Sequence, residues 1–213
     1  MDQFYDRAKS VIMVAGHYNS WETAATILDT QVKHHMVGIY TPMSNKFFDN
    51  KFLHSRQRFG LEMISKKLVK EEFEENKELL TGTLFATDQS PTYSKRVHWT
   101  WFLNQTTPVL LGAERFSREY DFPVIYGYIK KVRRGYYEME PVLEDDPVQT
   151  QDGEITEKHT RRLEKQNPGN PSILVMDTQT LEKKNERRRY ALPGPVIFKK
   201  SLRNYFNKTT MKK

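Results

Sequence analysis

The sequence predicts an α/β sandwich with an antiparallel hairpin late in the sheet. Three observations lead there. Short apolar runs rich in β-branched or small residues recur at 11–15 (VIMVA), 37–40 and 82–87 (GTLFAT). Segments of helical spacing lie between them. Two strand-like runs, 123–132 and 136–142, flank Arg133-Arg134-Gly135, a turn signal. Strands alternating with helices bury a sheet between helical layers.

Taken in order, the run at 11–15 is closed by Gly16 and reads as a buried strand. Residues 21–30 have helical spacing, with Ala24, Ile27 and Leu28 on one side. The second strand, 37–40, is ended by Pro42. Asn45 then caps a helix running to about Phe59, with Phe48, Phe52 and Phe59 spaced for one apolar face. Residues 62–77 read as a charged, exposed helix, and the third strand ends at Asp88. Residues 89–105 read as an aromatic-rich loop and 108–120 as a helix. After the hairpin comes a helix from about Ile155 to Lys165, capped by Asp152 or Gly153. From Asn167 onward periodicity disappears.

Composition bounds the function. Hydrophobic residues make up 37% and aromatics 12%, which fits a folded domain rather than a disordered chain. There is no cysteine, so disulfides and thiolate metal sites are excluded. No stretch approaches the roughly 20 apolar residues of a spanning helix, and the first nine residues carry no signal-peptide pattern. The net charge of +7 is unevenly placed. Residues 183–213 hold 11 Lys and Arg against one acid, a net +10, whereas residues 1–182 hold 23 basic and 26 acidic residues, a net −3. A basic end reads as a contact for nucleic acid or anionic membrane, or as a solvated tail. Tyr190, Phe198, Tyr205 and Phe206 are its interleaved aromatics, and no nucleic-acid motif accompanies them.

The sharpest local signal is GHYNSWE, residues 16–22. His17 follows a buried strand, where open α/β sheets place their ligands. Glu22 follows five positions later, in the first turn of the next helix. Its carboxylate can turn back to the imidazole, fix the tautomer and stabilise the imidazolium, with a substrate hydroxyl as the nucleophile. The same Glu is equally ordinary as compensation for the helix dipole, so spacing alone leaves both readings open. His34, His35, His54, His98 and His159 lack metal-ligand spacing and read as structural or surface residues. Trp99, Trp101 and Phe102 read as core or rim residues, or as contacts for an acyl chain.

VAGHYNSWE resembles the His-x-x-x-x-Asp/Glu block of glycerolipid acyltransferases, and more closely the form found in lipid A biosynthesis (lauroyl/myristoyl) acyltransferases. The likeness continues in order. Residues 40–60, YTPMSNKFFDNKFLHSRQRFG, resemble that family's Asn-led helix ending in Arg-x-x-x-Gly. LFATDQSP, residues 84–91, is similar to its Asp-Gln block. Residues 99–141 resemble its Phe-rich segment, helix and Pro-Val strand. The loop after His17 differs, with Asn19 and Ser20 where the family often has Gly and Asn.

The resemblance implies a mixed-sheet α/β sandwich of the glycerolipid acyltransferase type, with a catalytic domain over residues 1–165 and an irregular basic tail over 166–213. It implies O-acyl transfer from an acyl carrier protein thioester to a hydroxyl of a lipid A precursor or related glycolipid. The work would take place at the cytoplasmic face of the inner membrane, without cofactor, metal or nucleic acid. Carried over by position, His17 is the general base and Glu22 its partner, with Arg56, Asp88, Asn45 and Gln89 on the substrate side. Within the resemblance Arg56 suits an acceptor phosphate or a carbonyl oxygen; by itself it reads as a surface residue at a helix end. Asp88 is by itself also a turn-former, and Asn45 and Gln89 are capping or loop residues.

The resemblance also implies two incomplete ends. Relatives carry a membrane helix before the His block, whereas 16 residues precede His17 here. Relatives close the domain with a segment like Pro-x-Tyr-Trp-Leu-Trp-x-His-Arg/Lys-Arg-Trp-Lys. Shifting the reading frame across residues 174–183 permits Trp-Leu-Trp-Thr-His-Lys-Arg-Trp-Lys, so the basic tail is expected to be out of frame. The rival readings are an inactive remnant of such an enzyme and a basic module that binds membrane or nucleic acid.

Overall fold

The computed structural model describes residues 1–18, 20–76, 78–89, 96–145, 147, 150–166 and 199–200. The main sheet grows outward from β1 (Val11–Ala15), every residue of which is buried. Five strands run parallel: β1, β2 (His35–Tyr40), β3 (Glu62–Ser65), β4 (Thr81–Ala86) and β7 (Val124–Arg133). Antiparallel β8 (Tyr136–Asp145) follows, and beside it the two-residue β9 (Lys199–Lys200). The spatial order is β3-β2-β4-β1-β7-β8-β9. The chain is thus α/β with a mixed sheet.

The order explains the layers. The short helix α1 (Asp2–Tyr5) precedes β1, and from β1 the chain passes through α2 (Trp21–Leu28) to β2 and through α3 (Lys46–Arg56) to β3, moving toward one edge. It then turns back through α4 (Val69–Glu75) to β4 and through α5 (Gly112–Tyr120) to β7. Crossover connections keep one hand, so a reversal of direction moves the helices to the opposite face. Alternation along β1 separates the two cores accordingly. Ile12 and Val14 pack with Val69, Phe73, Phe116 and Leu163, while Val11 and Met13 pack with Leu28, Met36 and Leu61.

Three expectations are corrected. Residues 62–77 are not one helix but β3 followed by α4; the charged residues suggested a solvated helix, yet Ile64 is buried and Glu62 sits at the sheet edge against His35, at 2.9 Å. Residues 97–110 are neither loop nor helix. They form the hairpin β5 (Val97–Phe102) and β6 (Gln105–Leu110), and α5 begins only at Gly112. Leu103 and Asn104 both take positive φ, 48° and 62°, as a two-residue hairpin turn requires. Pro108 is tolerated because each strand of a two-stranded sheet has an unpaired side. Finally, the aromatic face of α3 is not buried: Phe48 is 53% and Phe52 47% exposed, and Asp49 is the buried residue, accepting from the Met43 amide at 2.9 Å.

The remaining expectations for local structure agree with the chain. The Asn45 side chain caps α3, accepting from the amides of Phe47 (3.0 Å) and Phe48 (3.4 Å). The helix α6 (Glu154–Lys165) starts at Gly153, φ +83°, which has no side chain to cap with. Buried Glu114 of α5 does that work: its oxygens accept from the amides of Gly153 (2.6 Å) and Thr156 (2.8 Å). Docking of β5 on α6 runs through Glu157. Burial opposes the charge on this carboxylate, but hydrogen bonds from Thr100, Arg161 and His98 outweigh it and hold Glu157 down at about 2. The basic tail lies outside the described residues, apart from Lys199–Lys200.

Candidate active site

The site forms where two adjacent parallel strands end. Ala15 of β1 is level with Ala86 of β4, and the Thr87 amide donates to the Ala15 carbonyl at 3.0 Å, extending the ladder by one step. Connections leave β1 toward one edge and β4 toward the other, so a crevice opens between their C-terminal ends. His17 emerges from one strand end and Asp88 from the other.

The two residues bond twice. The Nδ1 of His17 lies 2.7 Å from Asp88 Oδ1, and the His17 backbone N–H donates to Asp88 Oδ2 at 2.6 Å. The Asp88 side chain is fully buried, and that of His17 is 12% exposed. A buried carboxylate at Nδ1 holds the ring proton there and leaves the Nε2 lone pair to act as a base. Gly16 makes the approach possible: a Cβ there would lie 2.6 Å from Leu163 Cδ1 and 3.2 Å from Asp88 Oδ2. Behind Asp88 stands Tyr126, whose hydroxyl donates to Gln166 Oε1 at 2.9 Å. Burial, and then the Asp88 charge, push its ionisation far above the usual range.

The expectation that Glu22 turns back to the imidazole is corrected. Its carboxylate is held instead by Arg56, with Nε donating at 2.5 Å and Nη2 at 3.2 Å. The guanidinium lies 5.6 Å from the ring centres of both Trp21 and Phe52. Trp21 in turn meets the His17 ring edge-on, with centroids 4.5 Å apart. Glu22 and Arg56 are thus linked to the imidazole through an indole, whereas Asp88 touches it directly. Sequence spacing pointed to Glu22 because it is five residues away. The residue that bonds the ring is 71 positions distant and is brought there by strand pairing.

His17, Trp21, Glu22, Arg56 and Gln89 all line one cavity of about 1360 Å³. Asn45 does not line it; its side chain is committed to the cap of α3. The position of Trp21 between the imidazole and the Arg56 guanidinium was not foreseen. For Trp21 a signal existed, its place inside GHYNSWE. Among the described residues no three His, Asp or Glu side chains are grouped to hold a metal ion, and no described helix is long and apolar enough to cross a membrane.

Compared with known families, the chain matches the model described as bacterial lipid A biosynthesis acyltransferase over residues 1–173. No curated protein matches the chain.

Proposed function

The chain belongs to the bacterial lipid A biosynthesis acyltransferase family and is an acyltransferase; from that premise we propose that it moves a fatty acyl group from an acyl carrier protein thioester to a hydroxyl of a lipid A precursor or related glycolipid, with His17 as general base. The observation that carries this reading is the Asp88–His17 pair at the wall of a large cavity.

His17 Nε2 takes the proton of the acceptor hydroxyl as its oxygen bonds to the thioester carbonyl carbon. The tetrahedral intermediate collapses, the C–S bond breaks, and the sulfur leaves with the electron pair. It takes the proton from the imidazolium, which restores the base. Asp88 keeps the ring in the required tautomer and stabilises its charged form in between. Arg56 keeps Nη1 available for an acceptor phosphate or the developing oxyanion while Glu22 and the two aromatic rings fix its plane.

The exposed aromatics support work at the face of the inner membrane. Phe47, Phe48 and Phe52 stand out from α3, and the Lys51 ammonium lies 5.7 Å from the Phe47 ring centre. On β5, residues two apart share a face, and Val97, at the cavity wall, is followed on its face by exposed Trp99 and Trp101. Aromatic rings with nearby cations suit an anionic lipid interface.

The test is acyl transfer by the His17→Ala variant with acyl carrier protein thioester and a lipid A precursor. The expected loss is about 10²–10⁴ in rate, with an unchanged circular dichroism spectrum. Turnover near that of the unaltered protein would refute the mechanism.

A further inference from the structure

Three consecutive residues beyond β1 are held by side chains or backbone from distant parts of the chain, and two of the three holds come from one helical turn. Gly16 faces Leu163 of α6: a Cβ at position 16 would lie 2.6 Å from Leu163 Cδ1. His17 is held by Asp88 through its ring and its amide. Tyr18, buried, donates its hydroxyl to the backbone carbonyl of Gln166 at 2.7 Å. The start of α2 does not supply this anchoring, since Ser20 makes no side-chain cap there.

The chemistry of a helix end explains why the last turn of α6 can do this. A helix leaves its final carbonyls without partners inside the helix. Gln166 closes α6, and its carbonyl finds a donor in Tyr18. Its side-chain oxygen accepts from Tyr126, which is level with Val14 on the strand beside β1. Leu163, one turn earlier, packs in the same core as Val14 and Tyr126. It also shares the wall of a small cavity with Thr87 and Asp88. One helical turn thus touches the segment that carries His17, the neighbouring strand, and the surroundings of Asp88. Tyr18, Tyr126, Leu163 and Gln166 do not line the large cavity. Their effect on a bound substrate must therefore pass through His17 and Asp88.

We propose that Leu163 and Gln166 are positioning residues: the last turn of α6 sets the place of the base, Gln166 through Tyr18 and Leu163 through Gly16. The proposal rests on the reading of His17 as general base; the contacts themselves do not. The imidazole has to meet Asp88 at 2.7 Å and at the same time present Nε2 to a substrate hydroxyl. A misplacement of about 1 Å caused by a change remote from the chemistry can cost about 10²-fold in rate. Asp88 fixes the ring and the amide of residue 17, and α6 fixes the residues on either side of it.

The experiment uses the full 213-residue chain and two readouts. One is kcat and KM with acyl carrier protein thioester and a lipid A precursor, measured well below each variant's melting temperature. The other is the NMR signal of the His17 Nδ1 proton, which a bond to a carboxylate moves far downfield. Tyr18→Phe removes one oxygen and keeps the packing of the ring. It is expected to lower kcat by about 10–10²-fold, to leave KM unchanged, and to shift or broaden the proton signal. Leu163→Ala is expected to act in the same direction. Leu163→Met, which refills the space against Gly16, is expected to restore most of kcat. The Leu163 pair decides the matter should Tyr18→Phe fold poorly. A lower melting temperature with kcat and the proton signal unchanged would make the contacts merely structural and overturn the proposal. A raised KM with kcat kept would overturn it as well. A displaced proton signal in Tyr18→Phe, in a protein whose His17→Ala variant keeps its turnover, would refute the reading of His17 as base and leave the anchoring by α6 standing.

Discussion

Asp88 holds His17 by two different groups, the imidazole through Oδ1 and the backbone amide through Oδ2. One buried carboxylate thus fixes both the ring and the chain segment that carries it. Rotation of the imidazole would break one bond while the other still held the loop, so the base is pre-organised before substrate arrives.

The roles of the two acids follow. Asp88→Asn can still accept from the His17 amide through its carbonyl oxygen, but its NH2 group then faces Nδ1 and favours the wrong tautomer. A loss of about 10²–10⁴ in kcat is expected with little change in thermal stability. Glu22→Gln loosens Arg56 and should raise KM with a smaller loss in kcat. If Glu22→Gln were as inactive as His17→Ala while Asp88→Asn kept its turnover, the imidazole's partner would be Glu22 instead.

Arg56 depends on shape as well as charge. Its Nε and Nη2 fork onto one carboxylate while its plane faces Trp21 and Phe52. A lysine ammonium reproduces neither. Arg56→Lys is therefore expected to be nearly as impaired as Arg56→Ala in kcat/KM. Rescue by lysine would show that a point charge suffices.

His159 makes stability depend on pH. It is fully buried on α6, neither ring nitrogen has a hydrogen-bond partner among the described residues, and burial, with a further push from His98, lowers it to about 4. In the unfolded chain the ring titrates near its ordinary 6.5. Between pH 6.5 and 4 the unfolded state therefore binds more protons, so stability falls as pH falls through that window and levels off below it. At about 1.4 kcal/mol per unit the loss is on the order of 3 kcal/mol. Urea unfolding across this range should show the loss in the natural protein and a flatter profile in His159→Phe. Parallel profiles would assign the pH dependence to other groups.

The exposed aromatics carry the membrane reading. Phe48 is 53% and Trp101 59% exposed, so replacing both by serine removes no core contact. The double variant is expected to fold normally and to sediment less with anionic phospholipid vesicles. Equal sedimentation would exclude these rings as docking residues.

The local pattern of the sequence determined what is decided by neighbours along the chain. The apolar run at 11–15, the Asn45 cap and the turn at Gly135 each follow from steric or hydrogen-bond preferences within a few residues. The motif GHYNSWE marked the site for the same reason, since a His after a buried strand lies at a sheet edge wherever that strand sits. Charge misled at 62–77, because a short edge strand can expose acids as readily as a helix can. Tertiary structure alone decided which acid meets the imidazole. Pairing of β1 with β4 brings Asp88 from 71 positions away onto His17, and the packing of α3 beside α2 draws Glu22 to Arg56. Spacing along a chain cannot report such contacts, because the sheet's strand order, and not sequence distance, sets which strand ends are neighbours.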